Sequence, residues 1–389
     1  MRKKAFLLIV VLIGILSIPF VYADFDSENN TTLEDSIEQS LGNLDFTGLN
    51  EITSNLDSNT KELFSSSTFL DKVRSFLNGE NVDYTSFLSS VFHTFFDEAL
   101  NFLPVLISII VLAVLCSIIS SLRGSVGESS IEKIVNFVCF SVISVILFNS
   151  VTSIFNNVSS CVSSIKGQMD AVFPILLTLI ASVGGVNSVG IFQPMLAIFS
   201  NLIVQVFTVF LMPLFWILVV FCLISHISDI KLDKFNLLFM NMFKWGARGG
   251  FLLASGTILV GGIMAGSLDG ASIKATRFAL KSYVPVLGGY LSDGVNLVAV
   301  SGVLIKNAVG VCGIVLSVST IALPLVSVIV FSLGLKLSSS VLQLTQNSAV
   351  SDFLSDLSKV VDLLITVLVG VGFMYVVSLG MLVSTANIF

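Results

Sequence analysis

Eight apolar runs, each near the length of a membrane span, constrain this chain more than any other feature. The hydrocarbon core of a bilayer is about 30 Å thick, so a helix needs roughly 20 apolar residues to cross it. Backbone N–H and C=O groups find no water there, and runs of this length satisfy those groups as α-helices. The sequence therefore predicts an all-α polytopic membrane protein. The runs are Phe102–Ser121, Ile134–Phe155, Val172–Ile191, Met195–Ile224, Phe251–Ser267, Val295–Val318, Ile321–Leu337 and Leu363–Ala386.

Composition supports the same class. The 389 residues are 54% hydrophobic and 11% charged, whereas a soluble domain is about a quarter charged. The mean hydropathy is +0.98. The 28 glycines suit helices that pack closely in a membrane, because small residues let backbones approach.

The number of crossings is predicted as about seven, within a range of six to eight, because some runs are irregular. Val172–Ile191 contains Pro174, Gly184 and Gly185, which predicts a broken or re-entrant helix. Met195–Ile224 is longer than one bilayer requires. Val295–Val318 and Ile321–Leu337 meet at a kinked join, Leu323-Pro324.

Basic residues favour the re-entrant interpretation, because short cytoplasmic loops are enriched in lysine and arginine. A first crossing leaves Arg123 and Lys133 in the cytoplasm and predicts an external loop near Ser159–Gln168. The basic stretch His226–Gly250 is also cytoplasmic if Val172–Ile191 enters the membrane and leaves on the same side.

Three regions follow from these patterns. Residues 1–23 have a basic start, an apolar run and the small-residue site Val21-Tyr22-Ala23, which predict a signal peptide; the alternative is an uncleaved anchor. Residues 24–101 form an acidic extracytoplasmic region, and residues 102–389 form the multi-pass membrane domain.

The acidic region has fifteen acidic residues against Lys61, Lys72 and Arg74, a net charge of −12. Its first part is polar and predicted to be flexible. From Leu56 onward, apolar residues recur at helical spacing and predict a small helical element. The region is either a solvated arm or a docking surface for a basic partner.

Charged and glycine-rich sequence between Asp269 and Gly313 interrupts apolar surroundings and marks a candidate functional site. Lys274, Arg277 and Lys281 share one helical face, which predicts a short interfacial helix or a pore-facing one. Pro285 with Gly288 and Gly289 predicts a turn after that helix. The candidate pore or assembly residues are Asp269, Lys274, Arg277, Pro285, Gly288, Gly289, Asp293, Lys306 and Asn307.

Lys306 lies midway along Val295–Val318, and an intramembrane lysine is a functional-site hypothesis by default. We expect Asp293 to be its partner in a wet path. The alternatives are a structural role, in which Lys306 pairs with Asp293 or an asparagine, or a side chain that reaches the membrane surface because the span is shifted.

Motifs for catalysis or cofactor binding do not emerge. The five cysteines lie in or beside apolar segments without metal-ligand spacing, so they are interpreted as buried apolar residues, with no disulfide and no metal site. His93 and His226 have no partner motif. The chain is therefore not expected to be an enzyme or to bind a cofactor or nucleic acid, and an ATP-driven step would need a separate subunit.

Several motifs resemble one known family. They are MDAVFPILLTLIASVGG from Met169, Phe192-Gln193-Pro194, SHISD from Ser225, WGARGG from Trp245, YVPVLGGYLSDG from Tyr283 and SGVLIKNAVGVCG from Ser301. In order and spacing they resemble the stage III sporulation protein AE family of endospore-forming bacteria.

This resemblance implies a membrane subunit of the multiprotein channel between mother cell and forespore, needed for spore development after engulfment. It implies a location in the mother-cell membrane around the forespore. The implied partners are other stage III A-operon membrane proteins, including a separate ATPase, the forespore stage II protein Q, and membrane lipid. Two alternatives stay open: a stand-alone secondary transporter, which broken helices and Lys306 would suit, and a purely structural scaffold.

Overall fold

The computed structural model describes residues 30–56, 58–64, 68–79, 84–123, 129–227, 232–283, 288–344 and 348–385. Side chains of residues 263–298, and of some residues beside the other gaps, fall outside that description. The predicted signal peptide also lies outside the described residues. The residues that are described form helices and connecting turns, with no strand among them.

Four short helices form an N-terminal cap: α1 (Asn30–Gly42), α2 (Thr47–Ser54), α3 (Ser58–Phe64) and α4 (Phe69–Leu77). Helical spacing predicts a small element here, and its apolar residues are indeed buried. They include Leu63, Phe64, Phe69, Val73 and Phe76.

The prediction of a flexible polar stretch before this element is wrong from Asn30 onward, where α1 begins. Ile37 and Leu41 are one helical turn apart and both pack against the core. Their contact stabilises α1 despite the polar residues around them.

Long helices form the rest of the molecule. They are α5 (Tyr84–Arg123), α6 (Ser129–Ser182), α7 (Val186–Gln205), a π-helical segment (Val206–Leu211), α8 (Met212–Ile227), α9 (Asp233–Tyr283), α10 (Gly288–Gln343) and α11 (Ser348–Ser384). The 56 residues of α10 extend about 84 Å at 1.5 Å per residue, far more than the roughly 30 Å of a hydrocarbon core.

Two predicted interruptions are absent. The predicted loop near Ser159–Gln168 is wrong, because those residues lie inside α6. The polar residues that suggested a loop recur at helical spacing on the exposed face of α6. Val295–Val318 and Ile321–Leu337 both lie on α10, which continues through Pro324, so they are not two separate crossings.

Side-chain contacts fix the helix directions. On α10, Gly302 faces Val183 and Thr320 accepts a hydrogen bond from Gln168, so α6 runs antiparallel to α10. Helix α11 is also antiparallel, because Gly310 faces Val383 whereas Ser339 bonds to Ser351. Helix α5 is parallel to α10: Phe102 contacts Phe331, and Leu106 lies against Gly334.

Exposed apolar side chains extend over much of this bundle, and we call the part that includes the start of α6 the apolar belt. Towards the end of the bundle where α6 turns into α7 (the hairpin end), the exposed apolar surface continues at Leu88, Phe92, Phe96, Leu100, Val186, Ile198, Leu252, Leu253, Leu259, Val260 and Phe373. On α6 the belt extends from Ile134 to Phe148, about 21 Å along the helix. The exposed residues that follow are polar, beginning with Asn149 and Ser153. The other belt residues are Leu103, Ile107, Val111, Leu115, Ile118, Val209, Phe210, Val220, Ile224, Phe235, Leu237, Leu238, Met242 and Trp245.

Helices α6 and α7 form a hairpin that extends beyond this belt. The chain reverses at Gly184, which has a left-handed φ of +100° and carries no Cβ to clash. The break predicted within Val172–Ile191 is thus confirmed, but the hairpin points away from the belt rather than into it. Its return places the end of α5 at Arg123 and the end of α8 at Ile227 at the same end of the bundle.

Five helical stretches in the described part of the chain are long and apolar enough to cross a membrane, compared with the seven crossings predicted. They are Thr85–Cys116, Phe137–Ser182, Val186–His226, Ala299–Gln343 and Ala349–Ser384. The chain is therefore a membrane-associated helical protein on this structural evidence.

One cysteine prediction is wrong. Cys116 on α5 and Cys139 on α6 form a disulfide, with their Cα atoms 6.3 Å apart. Neither position has a distinctive spacing, and only the packing of the two helices brings them together. The other three cysteines, Cys161, Cys222 and Cys312, are buried thiols, as the apolar surroundings predict.

Candidate functional site

The residues of the predicted site lie on two helices joined by 284–287. Asp269, Lys274 and Arg277 lie on the second half of α9, so the short interfacial helix predicted there is instead part of a 51-residue helix. Gly288, Gly289 and Asp293 lie in the first turns of α10. Pro285 is outside the described residues, so the break predicted there stays a prediction.

Lys306 is fully buried, and its Nζ donates a hydrogen bond to the carbonyl oxygen of Thr385. Thr385 follows the last residue of α11, where backbone carbonyls lack helical partners and the helix dipole is negative. A lysine here therefore stabilises the end of α11, which agrees with a structural role. The Asp293 side chain is outside the description, so its pairing with Lys306 stays a prediction.

Lys306 lies beyond the apolar belt, near the level of Gly262 and Met381. Exposed apolar surface continues at this level, at Leu259 and Val260. Neighbouring Gly302 and Gly310 face Val183 and Val383, which are at the hairpin end of the bundle. Next to it, the Oδ1 atom of Asn307 is buried and meets no donor within the described part of the chain.

A groove of about 510 Å³ lies between α6 and α7, beyond the belt. Its walls are mainly apolar, with Asp170, Thr178, Gln193 and Ser200 as polar groups. Asp170 accepts a hydrogen bond from Ser200 at 3.0 Å and pairs with Lys166. Apolar walls with a few fixed polar groups are typical of small-molecule sites. Two of the motifs that carry the family resemblance, those beginning at Met169 and Phe192, line this groove.

A second polar feature lies within the belt and was not predicted as a site. Six polar residues form one face of α11, which we call the polar stripe. All are exposed or half-buried: Asp352, Ser355, Asp356, Lys359, Asp362 and Thr366.

Ion pairs connect the polar stripe to neighbouring helices. Lys336 on α10 lies 2.9 Å from Asp362, which also accepts a hydrogen bond from Ser332. His226 on α8 lies 3.7 Å from Asp356, and Lys359 lies 2.7 Å from the same carboxylate.

Helical spacing in the sequence contains this stripe, because Asp352, Asp356, Lys359 and Asp362 recur every three or four residues. The sequence alone does not show how deep in the membrane this stripe lies. The stripe precedes the most apolar part of α11, so it is easily interpreted as a loop outside the membrane. No cluster of three or more metal-ligating side chains occurs among the residues that the structure describes.

These features define a class: a helical membrane-associated protein with an apolar belt, a cap beyond it and polar groups inside it. The model of the family described as stage III sporulation protein AE matches residues 67–386, so this chain belongs to that family. It is 26% identical over 316 residues to stage III sporulation protein AE of Bacillus subtilis (strain 168), which covers 80% of this chain and 79% of that protein. No solved structure matches the chain.

Proposed function

We propose that this protein is a membrane subunit of the multiprotein channel between the mother cell and the forespore, required for spore development after engulfment. Membership of the stage III sporulation protein AE family is the observation that carries this proposal. Partners of the same sporulation group follow from it: other A-operon membrane proteins, a separate ATPase and the forespore stage II protein Q.

The shape of the bundle is compatible with a subunit of a larger assembly. The cap packs on α10 and α6 beyond the belt, with Gly48 against Ala171. The cap and the α6–α7 hairpin therefore lie on the same side of the belt, where they can meet other proteins. We assign this side to the space between the two cells, and the end that carries Arg123 and Lys234 to the mother-cell cytoplasm.

This orientation gives six crossings of the belt, by α5, α6, the π segment with α8, α9, α10 and α11. The N-terminal region is then extracytoplasmic, and the signal peptide directs it there.

We also propose that the protein has no catalytic activity, since its role in a channel requires binding and passage rather than chemistry.

Recovery of the tagged protein from sporulating cells in mild detergent tests the channel proposal. We expect the other A-operon membrane proteins to copurify, and a tagged unrelated membrane protein from the same cells serves as the control. Recovery of the protein without these subunits would contradict the proposal. Substrate uptake by liposomes that contain this protein alone would favour the transporter alternative, to which the apolar groove between α6 and α7 is suited.

A further inference from the structure

The polar stripe on α11 is as long as the apolar belt is thick. Asp352 to Thr366 extends about 21 Å along α11, and Ile134 to Phe148 extends the same distance along α6. Exposed apolar residues lie beyond both ends of the stripe, Phe373 beyond Thr366 and Leu344 beyond Asp352, so the stripe interrupts the apolar surface instead of marking one edge.

Contacts between helices establish that the stripe and the belt lie at the same level. Phe353, which follows the first stripe residue, packs on Phe140 with ring centroids 4.9 Å apart. Phe140 lies between the exposed belt residues Phe137 and Val142 on α6. One end of the stripe is therefore at belt depth.

The middle of the stripe is at belt depth as well. Lys336, the partner of Asp362, is next to exposed Leu337 and two residues from Gly334. Gly334 faces Leu106 of α5, which neighbours the belt residue Ile107. Lipid cannot solvate the charges of the stripe at this depth, so the stripe must face water or protein.

The exposed fractions of the stripe side chains agree better with a surface that faces water than with one that faces another protein in a dry contact. Lys336 and Asp362 already pair with each other, yet their side chains remain 27% and 35% exposed. Lys359 and Asp356 are likewise paired and remain 58% and 32% exposed. A dry contact would remove the remaining hydration from charges whose best partners are already taken, which is unfavourable.

We propose that the polar stripe, with Lys336, lines a water-filled path across the membrane for hydrated ions and small polar solutes. This inference rests on the proposed channel function and identifies the wall of the path. It adds Lys336 to Lys306 as a candidate intramembrane lysine.

Thiol labelling of single cysteines in membranes from sporulating cells tests the proposal. The test variants are Ser355→Cys, Lys359→Cys and Thr366→Cys, and the matched controls are Val142→Cys and Val145→Cys, which are exposed in the belt on α6. The unaltered chain gives the background rate of thiol labelling, since its three free cysteines are buried. A charged methanethiosulfonate reagent reacts with thiolates in water, and a lipid-soluble maleimide checks that each variant is present and accessible.

We expect the charged reagent to label the stripe variants at least tenfold faster than the two controls. Equal rates at stripe and control positions would overturn the proposal. Protection of the stripe in native membranes, with labelling in the purified protein alone, would assign it to a dry subunit contact and would also overturn the proposal. Copurification of the other subunits, measured on the same membranes, reports separately on the channel function.

Discussion

Two lysines on the same helix have different environments. Lys306 is fully buried and bound to a backbone carbonyl, whereas Lys336 is partly exposed and paired with Asp362. They are about 45 Å apart along α10 at 1.5 Å per residue. A hydrocarbon core of about 30 Å therefore cannot hold both near its centre. Contacts with belt residues place Lys336 at belt depth, whereas Lys306 lies towards the hairpin end, so its place in the membrane stays a prediction.

Replacing Lys306 tests its packing role. Lys306→Leu leaves the Thr385 carbonyl without this donor, so we expect a loss of about 1–3 kcal/mol in unfolding free energy. The control is Lys61→Leu, because Lys61 also donates to a backbone carbonyl, that of Ser54, but in a solvent-exposed contact. Denaturant unfolding of the purified proteins in detergent measures both. Normal stability of Lys306→Leu combined with a block in spore development would instead support the pore-lining hypothesis for this residue.

A double-mutant cycle tests whether Lys336 and Asp362 are hydrated. Hydrated ion pairs contribute little, so we expect a coupling energy below about 1 kcal/mol from Lys336→Met, Asp362→Leu and the double variant. A pair sealed from water would give an energy of several kcal/mol, because each single variant would leave an unpaired buried charge. The coupling energy is obtained from the unfolding free energies of the parent, the two single variants and the double variant, measured in detergent. A large coupling energy would contradict the water-filled path.

At the level of helices, close backbone contacts determine which elements pack together. A Cβ at Gly370 of α11 would lie 1.9 Å from the Phe251 ring of α9, and one at Gly310 of α10 would lie 2.1 Å from Val383 of α11. Such glycines let helices approach where lipid offers no hydrophobic driving force for association.

Glycine variants of α11 test this packing. Gly370→Ala must displace the Phe251 ring, so we expect a loss of about 1–3 kcal/mol. Gly380→Ala on the same helix is the control, because its Cβ meets nothing within 4 Å and alanine favours helix by up to about 1 kcal/mol. Thermal unfolding in detergent compares the two. Equal stability of Gly370→Ala and the parent would show that α9 and α11 do not pack as described.

For the whole molecule, apolar patterning in the sequence predicts the helical class, the helical element of the cap from Leu56 onward and the break near Gly184. It does not predict helix continuity, because Pro324 and the polar face of α6 resemble interruptions until their neighbours are known. Depth is equally hidden: the apolar runs do not show that Lys306 packs near Val183 and Val383 at the hairpin end, or that Lys336 lies at the level of the belt residues on α5. The disulfide and the polar stripe likewise depend on contacts between helices.

The orientation of the whole molecule is tested by labelling in intact cells. Three cysteine variants report on three positions along the membrane normal. Ser40→Cys lies in the cap, Asn187→Cys at the tip of the α6–α7 hairpin and Asp233→Cys at the basic end of the bundle. We expect a membrane-impermeant maleimide to label Ser40→Cys and Asn187→Cys directly, and Asp233→Cys only after permeabilisation, because the hairpin lies beyond the belt on the cap side. Protection of Asn187→Cys, reversed by detergent, would support a hairpin within the membrane instead. External labelling of Asp233→Cys would contradict the six-crossing orientation, since α9 begins at Asp233 at the end of the bundle where α5 ends at Arg123.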